Sequence, residues 1–167
     1  MKLLIGILIG LLVVAPLGAY FYVKLGFLSL ATTAKPLPME EFMAHTALRE
    51  SIGSAQNLQD PLPVTDENLL AGFKAYREHC AVCHGLPGES KPVIAAGMFP
   101  PPPQLMVARE MVTDDPEGAT FWKVSNGIRL SGMPRFDTLP ETTRWQLTMF
   151  LKHADRLPPA AQAGLRR

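Results

Sequence analysis

Cys80-Ala81-Val82-Cys83-His84 is the stretch that decides the fold, because this short motif holds both cysteines of the 167-residue chain. The residues before it, from Asp66 to His79, have apolar side chains at helical spacing. Thr65 and Asp66 are residue types that favour a helix N-terminus, and Gly85 provides a natural end. We therefore predict that both thiols and the imidazole lie at the last turn of one helix, where they can hold a single group.

The spacing Cys-x-x-Cys-His is the pattern of covalent c-type haem attachment. A zinc site would need about four ligands, usually from two separated pairs, and no second pair is present. A thioredoxin-like motif would place its first cysteine at a helix N-terminus, whereas here the helix precedes the motif. No other cysteine remains for a disulfide. The motif predicts one covalent haem c, with His84 as an iron ligand.

A long apolar segment opens the chain. Leu3 to Val23 contains no charged residue, is flanked by Lys2 and Lys24, and is long enough to cross a hydrocarbon layer of ~30 Å. We predict a single-pass anchor in the inner membrane; a cleaved signal peptide is the alternative that stays open. Because haem is attached on the far side of that membrane, the haem domain is expected in the periplasm.

The rest of the chain predicts helices joined by loops, with no alternating strand pattern and therefore an all-α fold. Besides the helix before the motif, we expect short helices at 39–51, 115–127 and 141–155. The predicted boundaries are 1–28 for the anchor, 29–64 for a linker with a short amphipathic helix, 65–157 for the haem domain and 158–167 for a loose tail. From Ser29 on there are 14 Lys+Arg and 15 Asp+Glu, because Lys2 and Lys24 lie before it. This balance gives no support for nucleic-acid binding.

The sixth iron ligand has several candidates of suitable chemistry: Met98, Met106, Met111, Met133, Met149, His79 and His153. Met133 differs from the others because Gly132 precedes it and Pro134 follows it. Glycine lets a backbone approach a haem closely and proline then fixes its path. We therefore predict Met133 as the sixth ligand, with loop packing as its simpler alternative.

Over residues 65–155 these features resemble class I monohaem cytochromes c. The resemblance rests on the motif at the end of a helix, on the segment from Asn126 to Pro134, and on a helix pair. In that family the first and last helices cross through a glycine and aromatic residues. The matching positions here are Gly72, Tyr76, Leu147 and Phe150.

The resemblance also implies further contacts with the haem. A proline carbonyl would accept the Nδ1–H bond of His84; the run Pro100–Pro103 offers four choices, of which Pro101 is assigned to the site. Trp122 and Arg129 are expected to reach a haem propionate. The helix at 39–51 and the separation of about 49 positions between His84 and Met133 lie outside the family pattern.

With His84 and Met133 on iron, no coordination position is left for a small-molecule substrate, so we predict an electron carrier and not an enzyme. The expected function is a membrane-anchored periplasmic cytochrome that passes single electrons between a donor and an acceptor protein in a respiratory or photosynthetic chain. The alternative is a fixed haem relay in a larger membrane oxidoreductase complex. A small peroxidase would need a displaceable sixth ligand.

Overall fold

A computed structural model describes residues 2–159 and 162–163. They fall into two units, Met1–Lys35 and Pro36–Arg167. The first unit is built on helix α1, Lys2–Lys24, which ends with a basic residue in its last turn. Its stretch Leu4–Lys24 has a mean hydropathy of 2.4 and no buried residue, and it is the one described helix long and apolar enough to cross a membrane. The predicted transmembrane helix is confirmed.

The second unit consists of helices joined by loops in its described part. Its elements are α2 (Glu40–Ile52), a 3-10 turn (Gly53–Asn57), α3 (Asp66–His79), α4 (Ala81–His84), α5 (Val93–Ala96), α6 (Glu117–Asn126) and α7 (Glu141–Lys152). Among the described residues no strand is found, and the one isolated bridge joins Ile128 to Met133. The prediction of an all-α fold is therefore confirmed. The predicted tail, 158–167, lies largely outside the described residues.

Local sequence signals explain where the main helices begin. The Thr65 hydroxyl accepts a hydrogen bond from the Asn68 backbone N–H at 3.2 Å and caps α3. Pro116 and Pro140 directly precede α6 and α7, since a residue without an N–H costs nothing at a helix start. Because Pro116 sets that boundary, α6 begins two residues later than the sequence predicts.

The crossing of α3 and α7 forms the centre of the core. The Tyr76, Leu147 and Phe150 side chains are fully buried there. A Cβ on Gly72 would collide with the Gln146 carbonyl oxygen and lie 2.8 Å from the Phe150 Cβ. The helix axes can approach this closely only because position 72 has no side chain. The helix pair expected from the resemblance is present.

The segment before α3 also packs on the domain. A Cβ on Gly118 of α6 would collide with the Ala55 carbonyl oxygen and lie 2.8 Å from the Leu58 backbone nitrogen. Leu48 and Ile52 of α2 line a groove whose opposite wall belongs to α6. The stretch expected to be a linker, 29–64, is therefore divided, and everything from Pro36 on belongs to the same unit as the haem domain.

Candidate haem site

The motif residues lie on one tight turn. Cys80 ends α3, and the backbone N–H groups of Cys83 and His84 both donate to the Cys80 carbonyl oxygen, at 3.1 and 2.9 Å. Both cysteines are free thiols and half-buried. Burial raises the pKa of the Cys80 thiol to about 12, and the nearby Cys83 adds to this shift. A thiol that stays protonated at neutral pH does not suit thiolate redox chemistry.

His84 is oriented by a proline carbonyl. Its Nδ1 lies 2.8 Å from the carbonyl oxygen of Pro103. Burial lowers the pKa of His84, and the bond to Pro103 opposes this shift only in part. Because a carbonyl oxygen can only accept, Nδ1 donates its hydrogen to Pro103, and Nε2 is the ring nitrogen left for a metal.

The assignment of Pro101 to this contact is wrong, because the carbonyl that meets His84 belongs to Pro103. Four consecutive prolines offer four similar carbonyl oxygens. Which of them faces the His84 ring depends on the direction that the backbone takes after α5. That is a property of the tertiary structure, and it leaves no trace in the local sequence.

Two polar side chains secure the backbone around the motif. The buried Tyr76 hydroxyl donates to the Gly85 carbonyl oxygen at 2.7 Å and approaches that of His84 at 3.3 Å. The Gln104 side-chain amide donates to the carbonyl oxygens of Cys83 at 3.3 Å and Pro102 at 3.2 Å. Sequence reasoning gave Tyr76 a packing role alone and missed Gln104, whose only signal was its place directly after the proline run.

Met133 lies in a loop that starts where α6 ends. Gly127 has a φ of +67°, and a Cβ there would lie 2.7 Å from the Met133 carbonyl oxygen and the Arg135 nitrogen. The Ile128 backbone N–H donates to the Met133 carbonyl oxygen at 3.1 Å. The Ser131 hydroxyl accepts from the Met133 N–H at 3.2 Å. These contacts fix the backbone of the distal loop, residues 127–135, against the end of α6.

Other predicted residues lie at the edges of the site. Trp122 is half-buried on α6, and Arg129 is exposed at the start of the distal loop; their contacts with a propionate stay predictions. Among the rival sixth ligands, Met106 and Met149 are buried core residues. The His153 Nδ1 lies 2.9 Å from the Met149 carbonyl oxygen and so serves its own helix.

The donor set fits a covalently bound haem. Two thiols stand on one turn, and the His84 imidazole has its Nδ1 occupied and its Nε2 available. A cleft of about 290 Å³ opens beside His84. It is lined by His84, Leu86, Glu89, Lys91, Gln104, Met106, Val107, Arg109 and Glu110. The chemistry of the two thiols and the imidazole matches thioether attachment with a histidine ligand.

Comparison with known families places this site. The family model described as "Cytochrome C oxidase, cbb3-type, subunit III" matches residues 67–151, just over half of the chain, and so includes the motif and Met133. No curated protein matches the chain. The matched range confirms the predicted resemblance to c-type cytochromes, with their role in haem-based electron transfer. The chain belongs to the family of c-type cytochromes that this model describes.

Proposed function

We propose that this protein is a membrane-anchored, periplasmic monohaem cytochrome that carries single electrons between redox proteins. The observation that carries the proposal is the 2.8 Å bond from the His84 Nδ1 to the Pro103 carbonyl oxygen, which leaves the opposite ring nitrogen free to hold the haem iron. Haem, when bound, supplies the one-electron iron couple.

The residues of this chain have separate tasks. Cys80 and Cys83 attach the group, and Tyr76 and Gln104 keep the motif backbone from moving. Met133 would hold the iron through a neutral thioether, a ligand that favours the reduced state and raises the reduction potential. With His84 and Met133 both holding the iron, no position would remain for a small molecule, and the group would supply single-electron exchange with a partner protein.

The location follows from the anchor and the chemistry of attachment. Helix α1 suits a single pass through the inner membrane. Because thioether formation takes place outside the cytoplasm, residues after Lys24 face the periplasm. Confinement to the membrane raises the effective concentration of the haem domain near membrane-bound donors and acceptors.

A second function, a fixed haem relay in a membrane oxidoreductase complex, is favoured by the N-terminal part of the domain. Helix α2 packs on α6 with one side, through Leu48 and Ile52. Its other side leaves Met39, Phe42 and Met43 between 60% and 66% exposed. Such an apolar patch is typical of a protein interface. The matched family is itself described as an oxidase subunit.

The first experiment tests the site. The full chain is purified from membranes of cells that mature c-type cytochromes, and the intact mass and the ferric spectrum are recorded. We expect a mass increase of one haem and the weak red absorption band of thioether-ligated ferric haem. The Met133→Ala variant should keep the haem and lose the band; retention of the band would overturn Met133 as the ligand.

The second experiment separates carrier from relay. The triple variant Met39→Ser/Phe42→Ser/Met43→Ser is compared with Val64→Ser, an exposed apolar residue outside α2. If the protein is a relay subunit, the wild-type and Val64→Ser forms should co-purify with other membrane subunits, and the triple variant should not. A carrier should purify alone in all three forms and still be reduced by isolated membranes.

A further inference from the structure

One methionine outside the motif reaches the distal loop. A Cβ built on Gly132 would lie 2.6 Å from the Met98 Cε, and apart from the neighbours of Gly132 no other described atom lies within 4 Å of that position. Gly132 has a φ of +80°, and Met133 follows it directly. The terminal methyl of Met98 is therefore in contact with the residue next to the proposed sixth ligand.

Met98 is itself held by a segment fixed on the motif. Helix α5 precedes it, and Ala95 of this helix is fully buried. The Met98 N–H points to the Ala95 carbonyl oxygen at 3.4 Å. Pro92, at the start of α5, places its Cδ 3.6 Å from the Cβ position of Gly85. The backbone of Met98 thus belongs to a segment that packs on the haem-attachment turn.

The same segment also reaches the other axial ligand. Five residues after Met98, the carbonyl oxygen of Pro103 accepts the bond from His84. One short stretch, 98–103, therefore touches the His84 ring at its far end and the distal loop at its near end. This stretch belongs to the long separation between His84 and Met133 that departs from the family pattern.

The distal loop needs such a support. Its described hydrogen bonds are local: Ile128 donates to Met133, Met133 donates to Ser131, Ser131 donates to Ile128, and Phe136 donates back to Val124 of α6. Leu130 has a φ of +65° and is 88% exposed. The loop is thus hydrogen-bonded to the end of one helix, and Met98 adds a contact to it from the segment that also meets His84.

We propose that Met98 is a positioning residue for the sixth ligand, whose methyl group braces Gly132 and keeps the Met133 loop closed over the haem. The proposal rests on the proposed function, in which Met133 ligates iron. Met98 does not bind the metal in this arrangement. It lowers the fraction of time in which the loop swings away and leaves the sixth position open.

The test uses the haem-loaded full chain with Met98→Ala and Met98→Leu. Leucine keeps the packing volume but has no sulfur to offer a metal. We expect Met98→Ala to weaken the red ferric band and to accelerate carbon monoxide binding to the ferrous protein roughly tenfold, because a truncated methionine no longer restrains the loop. Met98→Leu should behave like wild type in both measurements.

Proteolysis gives a readout that does not involve the haem. Arg129 is exposed in the distal loop, and trypsin should cut after it faster in Met98→Ala than in wild type or Met98→Leu. Met43→Ala, the same truncation on the exposed side of α2, is the control and should change neither the cutting rate nor the band.

The outcomes distinguish a failure of the Met98 proposal from a failure of Met133 as the sixth ligand. If Met133→Ala loses the band while Met98→Ala matches wild type in ligand binding and proteolysis, the bracing role is wrong and the ligand assignment stands. If Met98→Leu loses the band and Met133→Ala keeps it, Met98 is the ligand and both conclusions fall. Faster ligand binding and faster cutting in Met98→Ala alone support the brace.

Discussion

The two axial sides of the site are held by different means. On the proximal side, two side chains and one backbone group converge on the motif: the hydroxyl of Tyr76, the amide of Gln104 and the backbone carbonyl of Pro103. On the distal side, the loop from Gly127 to Arg135 depends mainly on its own backbone and on Ser131. His84 and the motif are thus held by three groups from other positions of the chain, whereas the backbone around Met133, the proposed sixth ligand, is held by a few near contacts and by Met98. Removing a hydrogen bond on the proximal side should mainly cost folding stability, and removing one on the distal side should mainly free Met133.

The largest effect is expected where the distal loop has no spare room. Gly127→Ala adds a Cβ 2.7 Å from the Met133 carbonyl oxygen at a φ of +67°, which should cost about 2–4 kcal/mol in the free energy of unfolding and abolish the red band. Urea unfolding and the ferric spectrum measure the two effects.

Gly88→Ala is the matched control for that prediction. Gly88 has a similar φ of +77° but nothing within 4 Å of its Cβ position. It should lose about 1 kcal/mol from backbone strain alone, with the band intact. Equal losses in the two variants would show that the distal loop is not tightly fitted.

Tyr76→Phe tests the proximal side. The change removes one hydroxyl and leaves the carbonyl oxygen of Gly85 without its 2.7 Å partner. An unsatisfied buried acceptor costs about 1–3 kcal/mol, so the unfolding midpoint in urea should fall. Carbon monoxide binding should stay at the wild-type rate; a faster rate would mean that the two sides are not independent.

Ser131→Ala tests the distal side with a deletion of the same kind. The Ser131 hydroxyl serves the Met133 N–H at 3.2 Å and the Ile128 carbonyl oxygen at 2.7 Å. Because the loop is partly open to water, the stability loss should be about 0.5–1 kcal/mol, smaller than for Tyr76→Phe. The rate of ligand binding should nevertheless rise. The comparison between the two sides fails if Ser131→Ala changes stability alone.

The smallest effect is expected at a carboxylate remote from both sides. Asp60 lies beside Glu117, and its Oδ2 is buried without a hydrogen-bond partner. Burial raises the pKa of Asp60, with Glu117 adding to the shift. A raised carboxyl pKa means that the folded state binds the proton more readily than the unfolded state. Asp60 therefore destabilises the fold above its folded-state pKa, and this cost disappears as the pH falls toward the unfolded value.

Asp60→Asn should accordingly raise the free energy of unfolding at pH 7 by an amount on the order of 1 kcal/mol or less. The difference from wild type should shrink as the pH is lowered toward 4. Midpoints in urea at several pH values measure it, with the red band as the control that should not change. A difference that stays constant with pH would show that ionisation of Asp60 is not its cause.

Much of this arrangement could be predicted from sequence, because its signals are local. The motif at a helix end, the glycine and proline around Met133, and the crossing through Gly72 are all spacing patterns within single elements. The choice of Pro103 over Pro101 was not predictable, since it depends on the direction in which α5 delivers the chain. The sequence predicted the short amphipathic helix at 39–51, but the face of the domain on which α2 docks was not predictable. Its one local hint was Gly118, a glycine in the first turn of α6 whose reason becomes clear only when the Ala55 carbonyl oxygen lies against it.

That contact at Gly118 also sets how far the haem domain can travel. With α2 attached to α6, the tether between α1 and the haem domain runs only from Lys24 to Glu40. About 15 residues lie in that interval, so full extension gives a reach of at most ~50 Å. If α2 were detached and its residues fully extended, the tether would run to Asp66 and span ~140 Å over about 41 residues. In the proposed membrane-anchored form, Gly118 therefore keeps the tether of the haem domain short, because any side chain at this position would push α6 away from the Ala55 carbonyl oxygen.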